Sequence, residues 1–199
     1  MLPAEQHADA IAEYVSRTRQ RSTKFRLATE GDATFLLGLR LDPSRNQHIS
    51  STDSDLNAQL VWMRAYTDRF AKGREAYFII EESGVPLGSI RIYDYLPGVN
   101  SFCWGSWIIR SGAHPTTAFC SLILAYDLAF GPLGFTQARF DVRQANISVW
   151  KLHEKTGARK IREDAINRYY EYLADDYQVA RVWLKKFAQI KDTHEHPLP

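Results

Sequence analysis

The sequence has only two cysteines among 199 residues, and their spacing is not that of a metal site. Cys103 falls in a predicted strand and Cys120 in a predicted helix, so we expect two buried, reduced thiols. This use of cysteine is typical of cytoplasmic proteins, and we expect that location. We expect no metal cofactor.

Long apolar runs are also scarce. The longest, 104–109 and 119–130, are too short to cross a bilayer. The first residues lack the apolar segment of a secretory signal. We therefore expect neither a membrane partner nor export.

The sequence has little excess charge of either sign. It has 25 Lys and Arg against 23 Asp and Glu, a formal net charge of +2. Proteins that bind nucleic acids usually carry a basic patch, and no basic cluster is present here. We therefore expect no nucleic-acid partner.

The composition is that of an ordinary globular chain, with 45% hydrophobic and 24% charged residues. We predict a helical extension over 1–23, one main domain over 24–187 and a polar tail over 188–199. The tail contains His194 and His196, but no third ligand stands near them, so they do not indicate a metal site.

The order of predicted elements indicates a mixed α/β fold. A strand and two helices come first, three meandering antiparallel strands follow, and helix, strand, helix and two strands complete the domain. The two closing strands are predicted over 158–164 and over 169–185. The second is rich in β-forming residues and has a break at Asp175 and Asp176. The sequence therefore predicts a central, largely antiparallel sheet flanked by helices.

A strand, a helix and a glycine stop occupy residues 138–158. Asn146 stands where the helix begins, and we expect its side chain to accept from a backbone N–H of the first turn. Gly157 ends the helix in the left-handed conformation that glycine favours. His153 recurs at helical spacing with two apolar residues on one face.

The order of residues in this helix resembles a motif of the GCN5-related N-acetyltransferases, N-x-x-(small)-x-x-L-Y-E-K-x-G-(F/A). The residues that carry it are Asn146, Val149, Leu152, His153, Glu154, Lys155, Gly157 and Ala158. His153 replaces the frequent tyrosine and Ala158 the usual phenylalanine. The chain looks most like the branch of ribosomal-protein and amino-sugar acetyltransferases, over about residues 24–187. The resemblance implies acetyl transfer from acetyl-CoA to a primary amine.

The third meandering strand loses its alternation at Gly105. Phe102 and Trp104 share one face, but the next large residues are Trp107 and Ile109. A slip of one residue at a glycine predicts a β-bulge, which either serves an active site or only relieves packing. The resemblance implies that backbone N–H groups over Trp107, Ile108 and Ile109 hold the acetyl carbonyl.

The segment R-S-G-A-H-P-T-T, residues 110–117, leads into a predicted helix. It matches the family's pyrophosphate loop poorly, because Pro115 has no N–H, although proline is well tolerated at a first helical position. The resemblance implies coenzyme contacts by the loop, the bulged strand and the Asn146 helix. The predicted contacts are Trp107, Ile108, Ile109, Gly112, Ala113, Thr116, Thr117, Asn146, Trp150 and His153.

The resemblance also assigns His153 as the group that donates a proton or hydrogen bond to the departing thiolate. The alternative is a histidine that only packs the last helical turn. Residues 101–109 contain no carboxylate to serve as the general base. His48, Asp94 and Glu82 are the remaining candidates, and the sequence does not rank them.

A long polar connection over 40–55 is expected on the acceptor side of the cleft. Arg45 and His48 are its most reactive residues, although for either one alone a solvent-facing loop residue is the better explanation. With Tyr93 and Trp104 they suit a pocket for a small amine, such as an amino sugar. The alternatives are a protein N-terminal amine as acceptor, or a regulator that binds acyl-CoA without catalysis. A homodimer is left open.

Overall fold

The structure is a computed structural model and describes residues 1–190, so His194 and His196 lie outside the described residues. The described chain contains helices α1 to α6 and strands β1 to β8. Their bounds are α1 Ala4–Arg17, β1 Arg19–Gln20, β2 Thr23–Leu27, α2 Ala33–Leu41, α3 Leu56–Ala71, β3 Ala76–Glu82, β4 Val85–Leu96, β5 Ser101–Ile109, α4 Pro115–Phe130, β6 Gln137–Arg143, α5 Ile147–Lys155, β7 Arg159–Glu163, β8 Asn167–Leu173 and α6 Ala174–Phe187.

The eight strands form one sheet in the order β1-β2-β3-β4-β5-β6-β8-β7. Every neighbouring pair is antiparallel except β5 and β6, which are parallel. The predicted mixed α/β fold with a largely antiparallel sheet is confirmed. No helix in the described chain is long and apolar enough to cross a membrane.

The sheet is covered on both faces. Residues of β3 alternate between two buried clusters: Phe78 belongs to the larger one, with residues of α4 and α6, and Ile79 to the smaller one, with residues of α2 and α3. Because successive strand residues point to opposite faces, β3 must be apolar throughout to serve both clusters. This alternation places α2 and α3 on the face that also carries the cleft described below.

The N-terminal residues are packed onto the sheet. Ile11 of α1 is 1% exposed within the larger cluster. Strand β1 pairs with β2 at Arg19 and Gln20 and so adds an edge strand. The predicted start of the main domain at residue 24 falls at the second residue of β2.

The prediction of a strand over 169–185 is wrong beyond Leu173, where α6 begins. Its buried residues Tyr177, Ala180 and Leu184 recur every three to four positions, which is the spacing of a helix. Asp175 and Asp176 form the first turn of α6 instead of a break, and their negative charges are favourable at a helix N-terminus. Tertiary packing therefore overrides the β-propensity of this segment.

The predicted bulge in β5 is confirmed. Ser89 pairs with Ile108 while Arg91 pairs with Gly105, so β5 contains one residue more than β4 between these pairs. Ser106 carries the local distortion, with φ of +49°. The bulge turns β5 just where it parts from β6.

Strands β5 and β6 diverge after a short contact. They pair only at residues 101–103 of β5 and 137–139 of β6. Beyond these pairs, the described residues leave the facing edges of 104–109 and 140–143 without ladder partners. Because the N–H groups of a strand alternate between its two edges, part of the β5 backbone faces the resulting gap.

Candidate active site

A cleft of about 580 Å³ lies where β5 and β6 diverge. One wall comes from the connection 48–55 and from α3, the floor from β4 and β5, and the opposite wall from β6 and the start of α5. A cavity of this size suits a ligand of several hundred daltons. The bulge and the unpaired strand edges therefore line a space for a ligand.

Arg91 forms the floor of the cleft and is held from three sides. Its guanidinium carbon lies 5.1 Å from the ring centroid of Trp62 and 4.3 Å from that of Tyr93. It is paired with Glu75, a residue 3% exposed that also accepts from Arg69 at 2.8 Å. Ring contacts and an ion pair at once fix the guanidinium in position.

Tyr93 lies over Gly105 at the bulge. A Cβ atom added to Gly105 would lie 3.0 Å from the Tyr93 hydroxyl oxygen, so the glycine provides the space that this phenol uses. Burial raises the pKa of Tyr93 to about 12. The phenol therefore keeps its proton at neutral pH and can donate a hydrogen bond into the cleft.

His153 is enclosed by aromatic rings behind the cleft wall. Its ring centroid lies 4.6 Å from that of Phe140 and 5.2 Å from that of Trp104, and the side chain is 1% exposed. Nε2 is buried without a hydrogen-bond partner among the described residues. Burial lowers the pKa of His153 to about 3, so the imidazole is neutral at physiological pH.

The N-terminus of α4 is closed by side chains of its own segment. His114 is the N-cap, and its Nδ1 accepts from the Thr116 N–H at 3.2 Å. The Thr117 N–H donates to the carbonyl of His114 at 2.9 Å. Pro115 occupies the first helical position, as predicted. The two N–H groups predicted to face a pyrophosphate therefore already have acceptors.

Three loop N–H groups before α4 have no such acceptor. Among residues 1–190, no hydrogen bond uses the backbone N–H of Ser111, Gly112 or His114. Gly112 has φ of +82°, a conformation that favours glycine. The loop thus offers free donors beside the start of a helix.

Helix α5 begins and ends as predicted, but one capping contact differs. Asn146 is the N-cap, yet its side chain makes no capping hydrogen bond. Its carbonyl instead accepts from the N–H groups of Val149 and Trp150, both at 3.2 Å. The Asn146 amide is therefore left to line the cleft. Gly157 has φ of +98°, which confirms the predicted helix stop.

Comparison with protein families matches residues 23–159 to the acetyltransferase (GNAT) domain. The chain belongs to the GNAT acetyltransferase family. A comparison with curated protein sequences gave no match.

Among solved structures, this acetyltransferase is similar to apo FdhC, described as a nucleotide-linked sugar GNAT. The two chains are 37% identical, with a TM-score of 0.77 over 85% of this chain and 97% of FdhC. Mycobacterium smegmatis RimJ in complex with CoA-disulfide is 16% identical, with a TM-score of 0.65 over 81% of this chain and 88% of RimJ. The N152L mutant of the spermidine N-acetyltransferase SpeG from Vibrio cholerae is also 16% identical, with a TM-score of 0.65 over 79% and 96% of the two chains. The last two share the fold.

The structure brings five of the predicted site residues of this GNAT protein together around the cleft. They are His48, Tyr93, Trp104, Trp107 and Asn146. His153 contacts two of them, Trp104 and Trp107, from behind. Ile108 is buried in the sheet and Ile109 is half-buried, and both pair with β4. The coenzyme loop with Gly112, Ala113, Thr116 and Thr117 lies beyond the bulged strand.

Other predicted site residues of the acetyltransferase lie outside the cleft. Arg45 is exposed, and its Nε donates to the Ser111 hydroxyl at 3.3 Å. Asp94 lines a second cavity of about 450 Å³ between α1, α3 and β4. The Trp150 indole donates to the Gln144 carbonyl at 3.1 Å. Oε1 of Glu82 accepts from the Thr23 and Thr117 hydroxyls at 2.7 and 2.8 Å.

Sequence reasoning missed six charged residues that line the cleft, and Arg40, Asp141 and Arg143 are three of them. Arg40 holds the connection 48–55 by donating to the Thr52 hydroxyl at 2.6 Å. Asp141 and Arg143 lie on the outward face of β6, whose alternate residues are buried. The alternation of Q-A-R-F-D-V-R carried this signal, since its charged residues share one face.

Proposed function

We propose that this protein transfers an acetyl group from acetyl-CoA to the primary amine of a nucleotide-linked amino sugar. The observation that carries the proposal is the cleft at the divergence of β5 and β6, with a bulged strand on one side and cationic and aromatic residues on the other. The similarity to FdhC, at 37% identity over nearly its whole chain, supports this class of acceptor.

On the coenzyme side, the gap between β5 and β6 receives the thiol arm. Backbone N–H groups of the β5 edge beyond Trp104 donate to the thioester carbonyl and to the oxyanion that forms on it. The free N–H groups of Gly112 and His114, beside the start of α4, bind the pyrophosphate. The bound CoA-disulfide in RimJ, which shares this fold, supports coenzyme binding by such a site.

On the acceptor side, two kinds of group suit a nucleotide-linked sugar. Arg143 lines the cleft and makes no ion pair or side-chain hydrogen bond with the described residues, so its guanidinium is available to a phosphate. Trp62 and Tyr93 offer ring surface for a base or sugar. His48 lines the same wall, with its Nδ1 buried and unpartnered in the described chain.

His153 acts as a neutral donor in this scheme. With a pKa of about 3, it carries no proton beyond that of the neutral imidazole at pH 7. When that proton is on Nε2, the ring can donate a hydrogen bond to the sulfur as the thiolate leaves. Rotation of Trp104 or Trp107 is required to open the path, because both rings contact the imidazole.

The test is release of free coenzyme A thiol with a panel of amines. We expect turnover with a nucleotide-linked amino sugar and a much higher KM for the same amino sugar without its nucleotide. Spermidine and a peptide with a free N-terminus serve as the competing classes of acceptor. Preference for the peptide would overturn the small-molecule acceptor.

A regulator that binds acyl-CoA without catalysis is the second candidate. One observation favours it: the Thr116 and Thr117 N–H groups are bonded within their own segment. It predicts stoichiometric acetyl-CoA binding by calorimetry and no thiol release above the uncatalysed rate with any amine. Thiol release with any member of the panel excludes it.

A further inference from the structure

The carboxylate of Asp141 lies in the cleft without a partner. Asp141 is exposed on the outward face of β6, and among residues 1–190 it makes no ion pair or side-chain hydrogen bond. An unpaired charge held on a rigid strand costs little while it faces solvent. It is free to meet a cationic group of a ligand.

Strand register places Asp141 across the gap from the bulge. Cys103 of β5 is paired with Arg139 of β6 in parallel register. Two residues further on, Gly105 and Asp141 would be opposite each other, but the strands have parted there. Asp141 therefore faces the bulged segment, where the Tyr93 hydroxyl also lies.

The electrostatics agree with this proximity. Burial is the main cause of the raised pKa of Tyr93, and the negative charge of Asp141 raises it further. The same carboxylate adds to the raised pKa of Cys103, which burial mainly causes. Asp141 is thus close to the groups of β4 and β5 that border the bulge.

The other carboxylates near the cleft either accept hydrogen bonds from the described residues or lie at the second cavity. Glu75 is paired with two arginines, and Glu82 accepts from two threonines. Asp53 and Asp55 accept backbone N–H groups of their own loop and of the start of α3. Asp94 lies at the second cavity instead.

We propose that Asp141 binds the acceptor's ammonium group and takes its proton. This inference rests on the acetyl transfer proposed above and assigns the general base of that reaction. No carboxylate is present on β5, so the base comes from β6, on the other side of the gap.

The protons and bonds balance as follows. The ammonium loses one proton to Asp141, and the neutral amine attacks the thioester carbon. A C–N bond forms, and the C–S bond breaks as the tetrahedral intermediate collapses. The second proton of the nitrogen passes through water to the departing thiolate, and neutral His153 donates only a hydrogen bond to the sulfur. Asp141 then releases its proton to solvent.

The charged surroundings of Asp141 determine how it titrates. Partial burial between the cleft walls raises the pKa of its carboxyl, Arg143 lowers it, and Asp164 raises it. A raised pKa makes the carboxylate a better proton acceptor. The other titratable groups that line the cleft are Arg40, His48, Asp53, Asp55, Tyr77, Arg91, Tyr93 and Arg143, and those on the adjoining strands are Cys103, Arg139 and Tyr169, the partner of Asp141 on β8.

The test compares Asp141→Asn with Asp9→Asn, the same chemical change at an exposed carboxylate of α1 outside the cleft. We expect Asp141→Asn to lower kcat/KM near pH 7 by about 10²–10⁴-fold, the usual contribution of one acid–base group. The loss should shrink as pH rises towards 9.5, because solvent then deprotonates the ammonium. Asp9→Asn should match the wild type throughout. Acetyl-CoA affinity and thermal unfolding should be unchanged in both variants, since neither side chain contacts the coenzyme loop.

The outcomes separate this assignment from the proposed function. Wild-type rates for Asp141→Asn, or a loss that is constant with pH, would overturn the role of Asp141 while leaving acetyl transfer standing. Absence of thiol release by the wild type with every amine would overturn acetyl transfer and the role of Asp141 together.

Discussion

The proposed acceptor half of the site, which lies in the cleft, is held differently from the proposed coenzyme half, which lies beyond the bulged strand. In the acceptor half, on β4 and α3, Arg91 is fixed by two aromatic rings and by buried Glu75. In the coenzyme half, at the start of α4, the Thr116 and Thr117 N–H groups are bonded within their own segment. The acceptor half is positioned before any ligand binds. The coenzyme half must break two internal hydrogen bonds before the Thr116 and Thr117 N–H groups can donate to a ligand.

The two halves therefore differ in how much binding free energy is spent on rearranging the protein. A pre-positioned group binds without an ordering cost, whereas a donor that first breaks an internal bond contributes only the difference between two bonds. If the coenzyme binds tightly through the Thr116 N–H, the hydrogen bond from that N–H to Nδ1 of His114 must therefore be weak. Substitutions in each half, and at His153 between them, test this difference.

The largest effect is expected from Glu75→Gln, which removes the charge that positions the acceptor half. Removal of one partner from a buried ion pair usually costs about 3–5 kcal/mol. We expect the lower end, about 3 kcal/mol, because the Arg69 and Arg91 side chains are 34% and 21% exposed and keep some water. Urea unfolding measures the loss.

Glu30→Gln is the matched control for Glu75→Gln. Glu30 also pairs with an arginine, Arg64, but the two side chains are 44% and 64% exposed. Exposed pairs contribute little to stability, so Glu30→Gln should lose much less than Glu75→Gln. If the two variants lose equal stability, the acceptor half is not held by its buried carboxylate.

Short-range patterns in the sequence predicted much of the fold and part of the site. The slip of alternation at Gly105 predicted the bulge, because a bulge changes which residues share a face. The stop at Gly157 needed only the local preference of glycine for positive φ. The prediction of a strand over 169–185 was wrong from residue 174 onward. The buried residues of this segment pack against α4 and the sheet, and β-propensity carries no information about that packing.

The candidate base could not be predicted in the same way. Asp94 has φ of +49°, and the pairing of β4 with β5 shifts between Tyr93 and Leu96, so alternation no longer gives its direction. Asp141 faces the cleft only because β6 pairs with β5 over three residues and then leaves it. That contact joins residues far apart in the sequence, and no local pattern encodes it.

The second effect concerns His153, which lies between the two halves. Its pKa is about 3 in the folded protein and about 6.5 when unfolded, so the unfolded chain binds a proton more readily. The stability from this residue is fully present above pH 6.5 and is lost as pH falls from there towards 3. Each pH unit in that window costs about 1.4 kcal/mol.

His153→Phe removes this dependence. The difference between wild type and variant in unfolding free energy should therefore change with pH below 6.5 and stay constant above it. Turnover of the variant should fall while acetyl-CoA affinity stays the same. Equal turnover from pH 6 to 9 would mean that His153 only packs against Trp104 and Phe140 and that solvent protonates the thiolate.

The smallest effect is expected from His114→Ala, which frees the Thr116 N–H in the coenzyme half. Loss of a helix cap costs about 1 kcal/mol of stability. If bound acetyl-CoA uses the Thr116 N–H, the variant no longer has to break the bond to Nδ1 of His114, and its affinity should rise by roughly fivefold for the same 1 kcal/mol. His114→Asn restores a capping acceptor and should return the affinity to the wild-type value.

Unchanged affinity in His114→Ala, measured by calorimetry, would assign the phosphate contacts to the already free N–H groups of Gly112 and His114. A lower affinity would mean that the His114 imidazole itself contacts the coenzyme. Both halves would then hold their binding groups in position before any ligand binds.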